Sequence, residues 1–333
     1  MVCLRGLAME GQIKRELQIM IQEGVTDAYL MPEAAEYRLS TLIRGKLALR
    51  YHFSKHSGQR IMAYLKYRSN LDISEHRRPQ SGALEWEMDP GQKIDLRIST
   101  VGDYRGQESM VVRFIYPPKA DFQVLVPSHW KGLQALAQQT GVMLFAGPMG
   151  SGKTTTMYRL AEQFIDQKTI MTIEDPVEIS HERFLQTQVN PVAGMDYQTL
   201  IKTSLRHRPQ ILIIGEIRDP QTAQMVIQAG LSGQLVMATI HARSAQGVLS
   251  RLQQLGVDQY YLHQALLAVS YQRLIPLHDQ SWALHFDQLS GDDLTQSIGH
   301  EESGVAQSWR HELARACEEG RITDETYQQF KAG

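Results

Sequence analysis

Two kinds of hydrophobic periodicity divide the chain. As far as about residue 115, apolar and polar positions alternate in short runs. Ala28–Met31, Tyr37–Ile43, Leu47–Tyr51, Ile94–Thr100 and Met110–Ile115 therefore predict strands, with Arg44-Gly45 supplying a turn. Helical spacing of Ile13, Leu17, Met20 and Ile21 predicts a helix from about Met9 to Glu23. Ile61, Met62 and Leu65 predict another from Gly58 to Ser69, followed by a loop, HRRPQSG, from His76 to Gly82. Several strands with few helices argue an α+β domain built on an antiparallel sheet.

Tyr116-Pro117-Pro118 interrupts all periodicity, and beyond it the pattern changes. Val142–Ala146, Thr169–Ile173, Ile211–Ile214 and Leu235–Ile240 are nearly continuous apolar runs, the pattern of strands buried on both faces. Before, between and after them come amphipathic segments: Trp130–Gln138, the stretch holding Met157, Tyr158, Leu160, Ala161, Phe164 and Ile165, then Tyr197–Leu205, Thr222–Leu231, Ser244–Leu255 and Tyr260–Tyr271. Strand and helix in alternation predict an α/β domain with a mostly parallel sheet covered on both faces. The expected organisation is an N-terminal α+β domain over residues 1–120, a linker over 121–128, the α/β domain over 129–279 and a C-terminal extension over 280–333. That extension holds a strand-like WALHF (282–286) and a helix near Ser308–Glu318, with no chemistry to assign.

Composition adds little until charge is divided along the chain. The 333 residues are 42% hydrophobic and 21% charged, ordinary for a globular protein of two domains. Formal net charge is −2, so no global basic field points to nucleic acid. From Gln280 onward, ten acidic residues face four lysines and arginines, making the extension acidic. Two cysteines, Cys3 and Cys317, form no framework, no apolar run reaches the length of a membrane span, and the N-terminus has no secretory pattern. A cytoplasmic location is expected.

The chemistry concentrates where the apolar strands end. GPMGSGKT follows Val142–Ala146 and opens a helix, the strand–loop–helix context in which such a loop cradles phosphate. Gly147, Pro148, Met149, Gly150, Ser151 and Gly152 form the turn, Lys153 places a charge at the β/γ-phosphates, and Thr154 offers a hydroxyl to Mg²⁺, with Thr155 behind it. ATP and Mg²⁺ are the expected cofactors. Glu174, Glu216 and His241 each stand at the carboxyl end of a strand, the edge of an open α/β sheet where ligands bind. Glu216 suits either the Mg²⁺ shell or the orientation of an attacking water. Glu174 serves the same crevice or caps the turn before Pro176, and His241 contacts the γ-phosphate or is structural. Transition-state charge also calls for cations, and Arg97, Arg105 and Arg113 of the first domain are candidates to be donated by a neighbouring domain or subunit. No HExxH or paired Cys/His spacing is present, so no zinc site is expected.

Four collinear segments carry a resemblance: GPMGSGKT (147–154), TIEDPVE (172–178), ILIIGEIRD (211–219) and GLSGQLVMATIHA (230–242). They are similar to the phosphate loop, aspartate box, Walker B segment and histidine box of the secretion and type IV pilus traffic ATPases. RRPQSG (77–82) and DLRIST with VVRF (95–114) resemble the second N-terminal domain of that family, and the likeness runs from about Gly24 to Pro276. It implies a RecA-like P-loop domain preceded by a smaller, PAS-like α+β domain, assembled into a homohexamer with ATP between the two domains. It also implies that Glu216 is the catalytic carboxylate and that Arg97 and Arg113 reach the γ-phosphate. The implied setting is the cytoplasm, peripheral at the inner face of the membrane, with a polytopic platform protein as partner and no direct contact with nucleic acid. Departures narrow the branch. Gln234 replaces the first histidine of the histidine box, and glutamine hydrogen-bonds but carries no charge. TDAYLMP (26–32) departs from the commoner SDIHLEP pattern. The four-cysteine zinc module, the separate membrane-docking N-terminal domain and the C-terminal retraction signature have no counterpart. LRHRPQ (205–210) and the short acidic extension resemble the competence pseudopilus branch of Gram-positive bacteria, with pilus retraction, type II secretion and a nucleic-acid-translocating RecA-like ATPase as alternatives.

Overall fold

The alternating segments near the N-terminus close into one antiparallel sheet. The computed structural model describes residues 2–43, 45–89, 92–116, 123–190, 193–279, 281–300 and 304–333. It divides into two compact units, Met1–Pro118 and Lys119–Gly333. The first unit contains α1 (Val2–Gln22), β1 (Asp27–Glu33), β2 (Glu36–Ile43), β3 (Lys46–Ser54), α2 (Lys55–Arg68), β4 (Gln80–Asp89), β5 (Gln92–Gly102) and β6 (Glu108–Ile115). Its six strands run in the order β3-β2-β1-β6-β5-β4. Ile13, Leu17, Met20 and Ile21 of α1 share a core with Leu84, Trp86, Ile94, Leu96, Ile98, Met110, Val112 and Phe114. The period of two in β5 and β6 is what turns these residues inward. It also turns Arg97 and Arg113, paired across the two strands, to the opposite face. Packing of α2 on β2 is tight: a Cβ at Gly58 would lie 2.5 Å from the Tyr37 ring. The expected turn at Arg44-Gly45 includes Arg44, which lies outside the described residues.

Strand β4 was not anticipated, although its signal is visible in hindsight. Leu84 and Trp86 are buried between Ala83, Glu85 and Glu87, a clean alternation partly obscured by the preceding polar loop.

The second unit is wound around an eight-stranded sheet in the order β10-β9-β11-β12-β8-β13-β14-β7. Its strands are β7 (Gln123–Val124), β8 (Gly141–Ala146), β9 (Ile170–Glu174), β10 (Leu185–Gln188), β11 (Ile211–Ile217), β12 (Leu235–Ile240), β13 (Leu266–Pro276) and β14 (Trp282–Ser290). From β10 to β13 neighbouring strands are parallel, and β14 returns antiparallel to β13. The helices are α3 (Pro127–Leu136), α4 (Lys153–Glu162), α5 (Tyr197–His207), α6 (Pro220–Leu231), α7 (Ala245–Gln254), α8 (Gln259–Ala265), α9 (Gly291–Ser297), α10 (Gln307–Glu318) and α11 (Asp324–Phe330). Successive residues of β8 serve opposite faces: Met143 and Phe145 pack with α3 and α4, whereas Val142, Leu144 and Ala146 pack with α5, α6 and α7. Burial on both faces explains why this strand reads as an unbroken apolar run.

Two expectations change here. The segment expected to be helical over Tyr260–Tyr271 is α8 followed by β13, which pairs with β8 from Leu266 to Tyr271. Leu and Ala are good helix formers, and position in the centre of the sheet overrides that propensity. Residues expected to form a separate acidic extension are built into the second unit: β14 extends its sheet, and Trp309 of α10 is fully buried, donating Nε1–H to the Phe330 carbonyl at 2.9 Å. Residues 121 and 122 of the expected linker lie outside the described residues.

Candidate active site

The phosphate-type loop sits between β8 and α4, and its backbone conformation requires glycine. Gly147, Gly150 and Gly152 have φ of 145°, 75° and 83°. These values lie where L-residues with a side chain are strained. Space is limiting as well: a Cβ on Gly147 would lie 2.4 Å from the Gln272 carbonyl oxygen and 2.7 Å from Ser151 Oγ. Asp196, Asp219 and Ser244 cap α5, α6 and α7 with their side chains, whereas α4 begins at Gly152 with no side-chain cap. Its first N–H groups and its positive end are therefore available to an anion. Lys153 donates to the carbonyls of Gly147 and Pro148, each at 2.9 Å, so its ammonium spans the loop. Burial pushes its pKa down, while Glu178 and Glu216 pull it back up. Met149 is exposed at the tip, and Ser151 is buried. These features fit a bound polyphosphate.

Three carboxylates lie near this loop, and they differ. Glu178 accepts a hydrogen bond from the Thr154 hydroxyl at 3.0 Å. Glu216 occupies a register shift at the end of β11, between Ile214 and Ile217, which releases it from the flat ladder. One of its oxygens is 2.6 Å from His241 Nε2, and the other accepts from Arg218 Nε. The Glu216 side chain is 14% exposed, with His241 at 66% and Arg218 at 63%, so the carboxylate is held from the solvent side by two reaching cations or donors. Gly215 permits this arrangement: a Cβ there would approach Tyr197 Oη at 3.1 Å and Glu174 Cα at 3.3 Å. Thr239 donates its hydroxyl to the Gly215 carbonyl and fixes the bend. Glu174 faces elsewhere. It is buried and accepts from the Tyr158 hydroxyl at 2.6 Å, and burial pushes its pKa up against the hydrogen bonds from Tyr158 and Thr172. The fold thus gathers Lys153, Thr154, Glu216 and His241, and directs Glu174 into the interior beneath α4.

Sequence reasoning overlooked several members. Glu178 lies in the TIEDPVE segment and Arg218 in ILIIGEIRD, but nothing in a linear pattern says which of several charged residues turns toward the loop. Gln272 was missed outright. It is fully buried on β13 and donates Nε2–H to the Ser151 carbonyl at 2.7 Å, bracing the loop from the adjacent strand. Gln234 precedes β12, where the neighbouring strand begins at Gly141, while the loop lies beyond the far end of that strand. It is thus at the opposite edge of the sheet from the phosphate loop. In the first unit, Arg113 pairs with Asp27 at 2.8 Å and lies opposite Arg97, while Arg105 stacks on Tyr104 with its guanidinium 5.0 Å from the ring centre.

Gly147→Ala tests the loop geometry. Backbone strain of about 1–3 kcal/mol, added to the clash with the Gln272 carbonyl, is expected to weaken nucleotide affinity by at least about tenfold. Titration with a fluorescent ATP analogue measures it, and unchanged affinity would contradict the tight loop.

The comparisons with known proteins agree with this geometry. The chain is 42% identical over 261 residues to competence protein ComGA of Streptococcus pneumoniae, covering 76% of this chain and 80% of that protein. It is 34% identical over 258 residues to competence protein ComGA of Bacillus subtilis, covering 76% and 72%. The fold is that of the ATPase DotB of Legionella pneumophila, with a TM-score of 0.75 at 17% identity over 95% of this chain and 94% of that one. A RecA-like ATPase fold follows. The family model described as Type II/IV secretion system protein matches residues 7–326, and this chain is a member of that family of ATPases.

Proposed function

We propose that this protein is a cytoplasmic motor ATPase that drives assembly of a competence-type pilus for DNA uptake. The observation that carries the reading is the 42% identity to a competence protein across three quarters of the chain, in a molecule whose loop, Glu216 and His241 come together as an ATPase requires. Thr154, whose hydroxyl donates to Glu178, and Glu216 would hold Mg²⁺, which when bound would supply charge neutralisation at the phosphates. Lys153 holds the β/γ-phosphates. Glu216 orients the attacking water and takes its proton. His241 and Arg218 fix the Glu216 carboxylate and, being exposed, report the state of the γ-phosphate. Arg97, Arg105 and Arg113 supply further positive charge in the assembled enzyme.

The working assembly is a homohexamer, since a head-to-tail interface that closes makes a ring and lets hydrolysis in one subunit move its neighbour. The partner that receives the work is a polytopic membrane platform protein, met peripherally at the inner membrane face. Among the described residues no helix is long and apolar enough to cross a membrane. The motor itself does not bind DNA, in keeping with a formal net charge of −2.

The test is DNA uptake in the native cell carrying Glu216→Gln, with surface filaments counted in parallel. Loss of both supports assembly for competence. Longer or more numerous filaments with poor uptake would mean retraction, an export defect alone would mean secretion, and DNA-stimulated hydrolysis by purified protein would mean a nucleic-acid translocator.

A further inference from the structure

Among the described residues, two clusters that join a histidine to a carboxylate lie away from the nucleotide site, and they differ in how far their polar atoms are satisfied. In the first unit Lys66 reaches Glu108 at 2.7 Å and the Glu75 carbonyl, and His76 meets the other Glu108 oxygen at 2.8 Å, so each charge has its counterpart. In the second unit His129, His285 and Glu312 are drawn from three separate elements: the first turn of α3, the middle of β14 and α10. One donor atom from each lies within 4.8 Å of the others. Glu312 is 3.2 Å from His129 Nε2 through one oxygen and 3.8 Å from His285 Nε2 through the other. The His129 and His285 rings stack at 6.5 Å with 21° between their planes, and His285 also lies 4.0 Å from the Trp309 ring.

This second cluster is left short of partners. His285 is fully buried, yet its Nδ1 has no hydrogen-bond partner, and the same holds for His129 Nδ1 and Glu312 Oε2. Burying such an atom without a partner is unfavourable, because its hydration is lost and nothing replaces it. Nε2 of both histidines faces Glu312, and His285 Nε2 also approaches the Trp309 carbonyl at 3.3 Å.

We propose that His129, His285 and Glu312 bind one divalent transition-metal ion of the zinc class, which ties α10 to β14 and α3. Two imidazoles and one carboxylate are a ligand set suited to such an ion, with a remaining position for water. Bonds of about 2.0–2.2 Å to a four-coordinate ion put donors roughly 3.3–3.5 Å apart, so rotation of the partly exposed His129 and Glu312 side chains completes the set. The site fastens the C-terminal helices to the sheet and is distinct from the nucleotide loop. No sequence motif announces it, because its ligands are far apart along the chain.

The test uses the full chain without a histidine tag and without nucleotide, stripped with chelator, then equilibrated with Zn²⁺ and passed through gel filtration. Mass spectrometry is expected to find one zinc per chain, and Tm is expected to rise by several degrees on zinc addition. His129→Gln and Glu312→Gln, at positions exposed enough to preserve the fold, are expected to lower zinc affinity at least about tenfold and to abolish the Tm shift. Lys153→Ala is expected to retain the full zinc content, separating this site from the phosphate loop. Background zinc in the wild-type protein, or equal occupancy in the two ligand variants, would overturn the proposal.

Discussion

Lys153→Ala is expected to abolish ATP turnover and to weaken ATP binding by roughly ten- to hundredfold. A hydrogen bond to a charged partner is worth about 1.5–3 kcal/mol, and in the proposed function this lysine would meet the most highly charged part of the ligand. The structure adds the reason that no neighbour replaces it. Among the described residues beside the loop, Arg218 and His241 are both engaged with Glu216. Removing the ammonium also leaves the Gly147 and Pro148 carbonyls, which it now bridges, turned toward the approaching anion. Equilibrium titration with an ATP analogue measures the loss, with Tm recorded to show that the fold survives. Unchanged affinity would mean that phosphate binds elsewhere.

Glu216→Gln has the opposite signature: binding is retained and hydrolysis falls by about 10²–10⁴-fold, the range for loss of a general base. The substitution is nearly isosteric. A glutamine carbonyl oxygen still accepts from Arg218, and its amide still donates to a neutral His241 ring, so geometry is kept while the charge and the proton acceptor are lost. Steady-state phosphate release, compared with ATP affinity on the same preparation, separates the two effects. A normal rate would transfer the catalytic role to Glu178, which stands beside Thr154, rather than to Glu174, whose carboxylate is committed to Tyr158.

Much of this was legible in the linear chain because it depends on local rules. The glycines of 147–152 announce a turn only they can make, and unbroken apolar runs announce strands buried on both faces. Glu216 and His241 were identifiable because a parallel sheet sends the carboxyl ends of its strands to one edge. The same rule brings Glu174 to that edge and leaves its role open. A strand-end position says which edge a residue reaches but not which way its side chain turns, and Tyr158 of α4 draws this one inward. Gln272 was hidden because a Leu- and Ala-rich stretch has the composition of a helix, and only its place beside β8 makes Leu266–Pro276 a strand.

The sequence by itself therefore determined the class of fold, the phosphate loop and the strand ends that line it, since periodicity and backbone permissiveness act over a few residues. The tertiary structure decided what depends on distant partners: the clamp of His241 and Arg218 on Glu216, the brace from Gln272, the incorporation of the acidic C-terminal segment into the second unit, and the meeting of His129, His285 and Glu312. Those contacts join residues far apart in the chain, whose side-chain directions are set by packing rather than by any local pattern.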